Sequence, residues 1–291
     1  MKRFVSPLRY PGGKARFSPF LADLIRSQPT RPKYYAEPFA GGAGAAVKLL
    51  TDETVNTVFI NDLSPGIAAF WRAVFTHTDR LVHRVENAVI TMEQWHHERE
   101  VFAHPDKWDD LTLGYATFFL NRCNRSGILG ARPIGGLKQD GKWKMDARFN
   151  REELADRIRY LGGFRRRVMV SQSDGRRFLN SIEHLGKTIL AYIDPPYLGQ
   201  GDDLYLDRLA YDDHKELADQ LKDPAYPWML TYDVDNKIAT ELYPGFRIAC
   251  FDIPHTAQNQ HLGHELMVFS PHLAVGSIQV LQKANAMWVT T

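Results

Sequence analysis

Residues 34–60 read YYAEPFAGGAGAAVKLLTDETVNTVFI. An apolar run, a glycine-rich turn, an alanine- and leucine-rich segment and a second apolar run follow one another in this stretch. The two runs are typical of buried strands, and the segment between them is typical of a helix. A strand, a glycine loop, a helix and a strand in this order form the opening of a parallel sheet. The sequence therefore predicts an α/β fold.

The strand pattern continues along the rest of the chain. Five further apolar runs have the length and composition of strands: residues 167–170, 188–193, 228–231, 246–251 and 265–269. About a hundred residues separate the second run from the third, first with helical spacing (66–113), then glycine-rich and basic (127–149). We therefore predict a catalytic α/β domain made of residues 1–65 and 161–291, and an inserted, mainly helical domain of residues 66–160.

The charges of the chain are segregated. The 291 residues carry 36 Lys and Arg against 34 Asp and Glu, and the resulting net charge of +2 by itself argues against a nucleic-acid partner. Residues 1–33, however, have eight bases and one acid (net +7), and residues 115–170 have thirteen bases and five acids (net +8). Residues 192–223 have nine acids and three bases (net −6). Two basic segments and an acidic one predict a surface for a polyanion beside an acidic site.

Composition excludes several classes of protein. Hydrophobic residues make up 44% and charged residues 24% of the chain, which is typical of a globular protein and not of a disordered one. Cys123 and Cys250 provide neither a disulfide framework nor a clustered metal site. Residues 96–100, HHERE, lack the spacing of a zinc-binding His-Glu-x-x-His motif. The sequence shows neither a signal peptide nor a membrane span. We expect a cytoplasmic, monomeric protein that binds no metal and no membrane.

The glycine loop and the acid that follows it indicate a nucleotide-like ligand. Gly41-Gly42-Ala43-Gly44 precedes a helix, where backbone N–H groups and the helix dipole face a ligand, and Asp62 ends the next strand. An acid at that position can accept hydrogen bonds from ribose hydroxyls. The loop alone also fits a structural turn or an oxidoreductase that uses a nicotinamide cofactor.

Asp194-Pro195-Pro196-Tyr197 follows a fully apolar run and indicates chemistry on an amine. The two prolines fix the backbone, so that the Asp194 carboxylate and the carbonyls of Asp194 and Pro195 are acceptors aimed from the carboxyl edge of the sheet. Acceptors that hold both hydrogens of a base's exocyclic amine turn its lone pair towards an electrophile. Tyr197 offers a face on which a planar base can stack.

Together these motifs resemble the Dam-type DNA N6-adenine methyltransferases. Six further segments resemble the family's motifs and occur in the family's order: Arg9–Lys14, Asn61-Asp62, Ser173–Phe178, Asp213–Ala218, Leu230–Asp233 and His264–Ser270. The resemblance implies a Rossmann-like S-adenosylmethionine methyltransferase fold, with a mixed, mostly parallel seven-stranded sheet and an inserted, mainly helical DNA-recognition domain. The implied reaction is site-specific transfer of a methyl group from S-adenosylmethionine to the exocyclic amine of a flipped adenine in duplex DNA.

The resemblance also implies roles for individual residues. The catalytic set is Asp194, Pro195, Pro196 and Tyr197. The cofactor-binding set is Tyr10, Pro11, Gly12, Lys14, Glu37, Phe39, Gly41, Gly42, Asp62, Asp174 and Asp194. Within it, Asp62 would hold the ribose, Asp174 would lie near the cofactor's adenine, and Asp194 would serve both the cofactor and the target amine.

Residues 118–127 resemble the family's DNA-contacting segment. Basic residues interleaved with aromatic ones suit phosphate contacts and a few base contacts. The predicted DNA-binding residues are Asn121, Arg122, Arg125, Arg132, Lys138 and Lys144. Members that methylate GATC tend to have an arginine three residues after the glycine of this segment, whereas Gly130 stands there in this chain. GATC specificity is therefore not implied. Separately, the sequence is compatible with a cognate restriction enzyme as a partner.

Two alternatives to adenine methylation remain. Cytosine N4-methyltransferases perform similar chemistry but more often have serine at the position of Asp194. A catalytically silent DNA-binding relative should have lost Asp194 or Tyr197, and both are present. An oxidoreductase leaves the Asp194–Tyr197 motif unexplained.

Overall fold

A single mixed sheet forms the centre of the protein. The computed structural model describes residues 5–9, 14–196, 209–255, 261–276, 278 and 285–290. The strands are β1 (Tyr34–Glu37), β2 (Thr57–Asp62), β3 (Val168–Gln172), β4 (Ile189–Ile193), β5 (Trp228–Asp233), β6 (Arg247–His255), β7 (His261–Phe269) and β8 (Ala286–Thr290). Their order across the sheet is β3-β2-β1-β4-β5-β7-β6-β8. Strands β1 to β5 pair in parallel, and β6, β7 and β8 join by antiparallel pairing.

This topology confirms the predicted mixed, mostly parallel α/β fold. The seven predicted strands are present, and the count of seven is corrected to eight by β8. The extra strand comes from the tail beyond the motifs and pairs with the edge of β6. Alternating polar and apolar character is weak in β8, whose residues Met287 and Val289 are exposed, so the hydrophobic pattern gave no strand signal there.

The helices are α1 (Ser18–Arg26), α2 (Gly44–Thr51), α3 (Pro65–Thr76), α4 (Thr78–Glu86), α5 (Met92–Ala103), α6 (Asp110–Cys123), α7 (Arg151–Gly162), α8 (Gly175–Ser181) and α9 (Tyr211–Gln220). Polar side chains cap the N-termini of several of these helices. The Ser64 hydroxyl accepts a hydrogen bond from the backbone of α3, and the Asp109 carboxylate does so for α6. A single turn of 3₁₀ helix, Lys14–Phe17, precedes α1.

The pairing of β1 with both β2 and β4 defines the edge at which the functional residues meet. Tyr34 is in register with Thr57 on one side and with Ile189 on the other. The carboxyl ends of these parallel strands therefore lie side by side. Glu37, Asp62 and Asp194 are brought to one edge of the sheet by this register.

Helices α3 to α7 occupy the chain between β2 and β3 and share their core with the sheet. Trp71, Trp95 and Phe118 are fully buried in the same apolar cluster as the sheet residues Val58 and Met229. The helical character predicted for this region is therefore present, in three helices between Pro65 and Ala103. Its division from the rest as a separate recognition domain stays a prediction.

Helices α3 and α6 approach each other so closely that there is no room for a side chain at Gly114 of α6. A Cβ atom at Gly114 would lie 2.8 Å from the Ala69 carbonyl oxygen and 2.9 Å from the Phe70 Cα. We expect Gly114→Ala to lower the free energy of unfolding by about 2 kcal/mol, although alanine favours a helix over glycine by about 1 kcal/mol.

Urea denaturation measures this difference. Gly276→Ala is the matched control, because no atom of the described part of the chain lies within 4 Å of its added Cβ, and we expect it to change stability by less than about 0.5 kcal/mol. A stabilising Gly114→Ala would contradict the close helix packing.

Candidate active site

The carboxylate of Asp194 is held by two donors at the end of β4. Its Oδ1 atom accepts hydrogen bonds from the Lys14 ammonium at 3.1 Å and from the Thr231 hydroxyl at 2.7 Å. The Thr231 hydroxyl in turn lies 2.8 Å from the Tyr192 hydroxyl. Because both donors come from other elements, the orientation of Asp194 is fixed by the fold and not by its own backbone alone.

Lys14 contacts a second carboxylate at the same place. Its ammonium nitrogen lies 3.4 Å from Oε2 of Glu265, on β7. The side chains of Lys14 and Glu265 are only 5% and 1% exposed, whereas that of Asp194 is 24% exposed. A buried ammonium therefore lies between an acid of the interior and an acid that reaches the surface of the site.

The glycine loop after β1 is shaped by Asp62 and Trp71. The Asp62 carboxylate accepts hydrogen bonds from the Gly41 N–H at 2.8 Å and the Ser64 N–H at 3.0 Å, one on each oxygen. The indole N–H of Trp71 donates to the Gly41 carbonyl at 2.9 Å. Gly41 has a φ of 47°, in the left-handed region that glycine adopts without strain. The acid predicted to hold a ribose thus also holds the loop.

Asn61, in β2, connects the loops that follow β1 and β3. Its side-chain amide is fully buried and donates to the Pro38 carbonyl and the Ser173 carbonyl, both at 2.9 Å. The Phe39 ring then lies against Gly175, where an added Cβ would come within 2.4 Å of the ring. Phe39 and the first turn of α8 are in this way fixed next to each other, and the ring forms one wall beside the glycine loop.

Four predicted site residues fall outside the part of the chain that the structure describes. They are Tyr10, Pro11 and Gly12 of the N-terminal motif and Tyr197 of the catalytic motif. Asp194, Pro195 and Pro196 are described, as are the predicted cofactor residues from Lys14 onward.

The family of the chain follows from its match to a sequence model. The model of the D12 class N6 adenine-specific DNA methyltransferases matches residues 10–258. The chain belongs to this family. The resemblance drawn from its motifs is confirmed, and the protein is an adenine-specific DNA methyltransferase.

Other comparisons are less informative about this D12-class methyltransferase. No curated protein sequence matches it significantly. Among solved structures, the rRNA methyltransferase AviRa from Streptomyces viridochromogenes is 13% identical, with a TM-score of 0.41 over 88% of this chain and 84% of that one. A protein from Legionella pneumophila is 14% identical, with a TM-score of 0.36 over 95% of this chain and 96% of that one.

Asp174 is engaged by the helix that it precedes. Its carboxylate accepts from the backbone N–H groups of Arg176 and Arg177 and forms an ion pair with the Arg176 guanidinium at 3.0 Å. This guanidinium lowers the pKa of Asp174. Arg176 also contacts Asp213 at 2.8 Å, on α9, the helix that follows the catalytic motif. Asp174 is therefore a charged, oriented carboxylate, and its role beside the cofactor's adenine stays a prediction.

Two predicted DNA-binding residues of the methyltransferase make contacts inside the protein. The Asn121 side chain is buried, donates to the Arg9 and Gly127 carbonyls at 2.7 and 2.8 Å, and accepts from the Arg9 N–H at 2.7 Å. The Arg122 guanidinium donates to the Arg148 carbonyl at 2.8 Å. Burial, with the positive charge of Arg9, lowers the pKa of Arg122 to about 9. Whether either residue contacts DNA stays a prediction.

The other four predicted DNA-binding residues are exposed on the loop between α6 and α7: Arg125, Arg132, Lys138 and Lys144. Lys144 donates to the Gln139 carbonyl within that loop. The loop is anchored to the N-terminal segment at Gly127, where an added Cβ would lie 2.3 Å from the Arg9 carbonyl oxygen. Exposed bases are thus presented from a loop whose base is fixed.

The described ranges contain neither a cluster of metal-ligating side chains nor a membrane-spanning helix. No group of three or more His, Cys, Asp or Glu residues there could hold a metal ion. Of the helices that the structure describes, none is long and apolar enough to cross a membrane.

Sequence motifs missed Thr231, Tyr192 and Glu265 as parts of the site. Thr231 and Tyr192 carry a weak signal, a hydroxyl within an otherwise apolar strand. Glu265 carries a stronger one, an acid inside the apolar run 265–269, since a buried acid requires a partner.

Glu37 of the methyltransferase is a buried acid whose ionisation should affect stability. Its Oε1 accepts hydrogen bonds from the Tyr35 hydroxyl at 3.0 Å and the Ala46 N–H at 2.8 Å. Burial nevertheless raises the pKa of Glu37 from 4.5 to about 8. Between these two values the folded protein holds a proton that the unfolded chain releases, so that this group makes the protein less stable as pH rises.

Glu37→Gln should remove that dependence. Glutamine can accept the same two hydrogen bonds and does not ionise. We expect the difference in unfolding free energy, variant minus wild type, to increase by about 1 kcal/mol per pH unit between pH 5 and 8. Urea denaturation of both proteins at pH 5, 6.5 and 8 measures this difference, in which other titrating groups cancel. A constant difference would show that Glu37 is ionised in the folded protein throughout.

Proposed function

We propose that this chain transfers a methyl group from S-adenosylmethionine to N6 of an adenine flipped out of duplex DNA, at a specific sequence. The observation that carries the proposal is the Asp194 carboxylate, fixed by Lys14 and Thr231 at the carboxyl edge of the sheet and followed by two prolines. Membership of the family establishes adenine in DNA as the methylated base. S-adenosylmethionine as the donor, the flipping of the base and the duplex form of the DNA are proposed.

The chemistry of the target amine suits this acceptor. The lone pair of an exocyclic amine is delocalised into the ring, so the amine is a poor nucleophile. Asp194 and the Pro195 carbonyl would accept its hydrogens and favour tetrahedral geometry at nitrogen. Because Oδ1 of Asp194 is already held, the carboxylate does not reorganise when the amine arrives. Tyr197 would stack on the base.

The residues present fit S-adenosylmethionine. That molecule, when bound, supplies a methyl group on a sulfonium, which transfers by alignment and not by strong base catalysis. Gly41, in its left-handed conformation, and Gly42 let the backbone approach a ligand, and Phe39 provides an apolar face beside them. We assign Asp62 to the ribose hydroxyls and Asp174 to the adenine end. Tyr10, Pro11, Gly12, Lys14 and Glu37 complete the proposed pocket.

The inserted region would bind the DNA backbone. The exposed bases of the loop between α6 and α7 can neutralise phosphates, while Asn121 and Arg122, in the last turn of α6 before this loop, also hold the N-terminal segment. Cytosine N4 methylation is the second candidate reaction, because the same acceptors would hold the amine of cytosine. Cytoplasmic location, a monomeric state and a cognate restriction enzyme remain sequence-based proposals.

Asp194→Ala should abolish methyl transfer and retain DNA binding. The change removes the acceptor but no basic side chain, so transfer from tritiated S-adenosylmethionine should fall at least about 1,000-fold while the Kd for DNA changes less than about threefold. Asp52→Ala, which removes an acid at the far end of α2, is the control. Transfer within tenfold of the wild type by Asp194→Ala would contradict this active site.

Mapping of the methylated base separates the candidate reactions. Unmethylated genomic DNA is incubated with the protein and S-adenosylmethionine, digested, and analysed for N6-methyladenine and N4-methylcytosine, with base-resolved sequencing for position. We expect N6-methyladenine at one short recognition sequence. N4-methylcytosine would show that cytosine and not adenine is the methylated base. DNA that is bound but not modified would indicate a catalytically silent DNA-binding protein.

Loss of an exposed basic residue of the loop should reduce the salt dependence of DNA binding. Replacing Arg125, Arg132, Lys138 or Lys144 by Gln removes one phosphate contact each, so the magnitude of the slope of log K against log salt should fall by about 1 per residue. Fluorescence anisotropy of a labelled duplex at several salt concentrations measures the slope. Lys222→Gln, two residues beyond the end of α9, should leave it unchanged. An unchanged slope in the four loop variants would contradict the proposed DNA surface.

A further inference from the structure

We propose that Glu265 is a positioning residue that acts as a counter-ion of Lys14 and adds negative charge beside Asp194, where the cationic methyl donor would bind. The proposal rests on the proposed function, because it assumes that a sulfonium binds beside Asp194. It assigns to Glu265 a selective role: Glu265 favours the charged donor over the uncharged product.

The geometry places one positive charge between two negative ones. The Lys14 ammonium lies 3.1 Å from Oδ1 of Asp194 and 3.4 Å from Oε2 of Glu265. Glu265 is almost completely buried and Asp194 is not. A carboxylate as buried as Glu265 requires a partner, and the Lys14 ammonium is within ion-pair distance.

The charge balance of this cluster decides what it attracts. Lys14 and Asp194 form a pair of opposite charges, and Glu265 adds a negative charge next to the Lys14 ammonium. Asp194, whose side chain is 24% exposed, is the member of the three that a ligand can approach. A nearby cation is therefore attracted, and an otherwise identical neutral molecule is not.

The backbone explains why Glu265 reaches this position. β7 runs antiparallel to β5, and Glu265 is in register with Asp233, the last residue of β5. Glu265 therefore lies at the same edge of the sheet as the carboxyl ends of the parallel strands. Its main-chain position is set by five consecutive pairs between these strands, so its carboxylate is a fixed charge.

S-adenosylmethionine and S-adenosylhomocysteine form a matched pair of probes. They differ in the transferred methyl group and its positive charge, and share the adenosine and amino-acid parts. A residue that only supports the pocket would affect both ligands equally, whereas a residue that supplies charge affects the sulfonium selectively. The ratio of the two dissociation constants therefore separates the two roles.

The test is titration calorimetry of the full chain with each ligand. We expect Glu265→Gln to weaken binding of S-adenosylmethionine about tenfold and that of S-adenosylhomocysteine by a clearly smaller factor, because both ligands share the ammonium group and only the donor has the sulfonium. Glu265→Asp, which keeps the charge, should retain the wild-type ratio. Glu98→Gln is the matched control, because Glu98 is also a buried acid but lies on α5 and contacts Gln94; its ratio should equal that of the wild type.

The remaining outcomes overturn the proposal. Equal weakening of both ligands by Glu265→Gln would make Glu265 a structural support, and no change in either would deny it any role. If Glu265→Gln does not fold, Lys14→Gln is measured in its place. This variant removes a positive charge, so its preference for S-adenosylmethionine over S-adenosylhomocysteine should stay equal or increase. A decrease overturns the charge argument. If the wild type methylates DNA and Glu265→Gln has the wild-type ratio of dissociation constants, only this proposal is refuted. If the wild type binds neither ligand, the proposed function is refuted as well.

Discussion

Lys14 meets Asp194 and Glu265 in the interior, and most of the site depends on this contact. The three residues come from the N-terminal turn, from the end of β4 and from β7, so their contact requires that segments far apart in the chain be assembled correctly. A buried charge without a partner costs several kcal/mol. A shift of β7 relative to β5 by one residue would turn the Glu265 side chain to the other face and leave Lys14 without its second partner. The electrostatics of the site thus specify the register of the sheet.

The order of strands follows from the same requirement. β1, β4 and β5 pair in parallel, so their carboxyl ends bring Glu37, Asp194 and Thr231 to one edge. The parallel strands contribute residues at or next to their carboxyl ends. Because β7 is antiparallel, it contributes Glu265 from the middle of its span. The antiparallel strand thus adds an acid to the edge at which the parallel strands end.

Sequence reasoning was sufficient where one local signal determines the outcome. The seven predicted strands are apolar runs, and Asp62, Asp194 and the glycine loop lie at strand ends, so that topology alone brings them together. Contacts that depend on three-dimensional assembly were not accessible. The side-chain N–H groups of Asn121 donate to the Arg9 and Gly127 carbonyls because the N-terminal segment packs on α6, and no local pattern indicates this. The eighth strand was missed because it is a short edge strand with exposed apolar residues, beyond the last motif.

The N-terminal segment provides a physical connection between the inserted helices and the chemistry. Asn121 holds the backbone of Arg9 through both its N–H and its carbonyl, and Arg157 of α7 donates to the Ser6 carbonyl at 3.1 Å. The Ser6 hydroxyl donates to Gly42 of the glycine loop at 2.6 Å. The same segment continues in sequence to Lys14, which donates to Asp194. A displacement of the inserted helices relative to the sheet would strain the hydrogen bonds at Ser6 and Arg9, so the positions of α6, α7 and the glycine loop depend on one another.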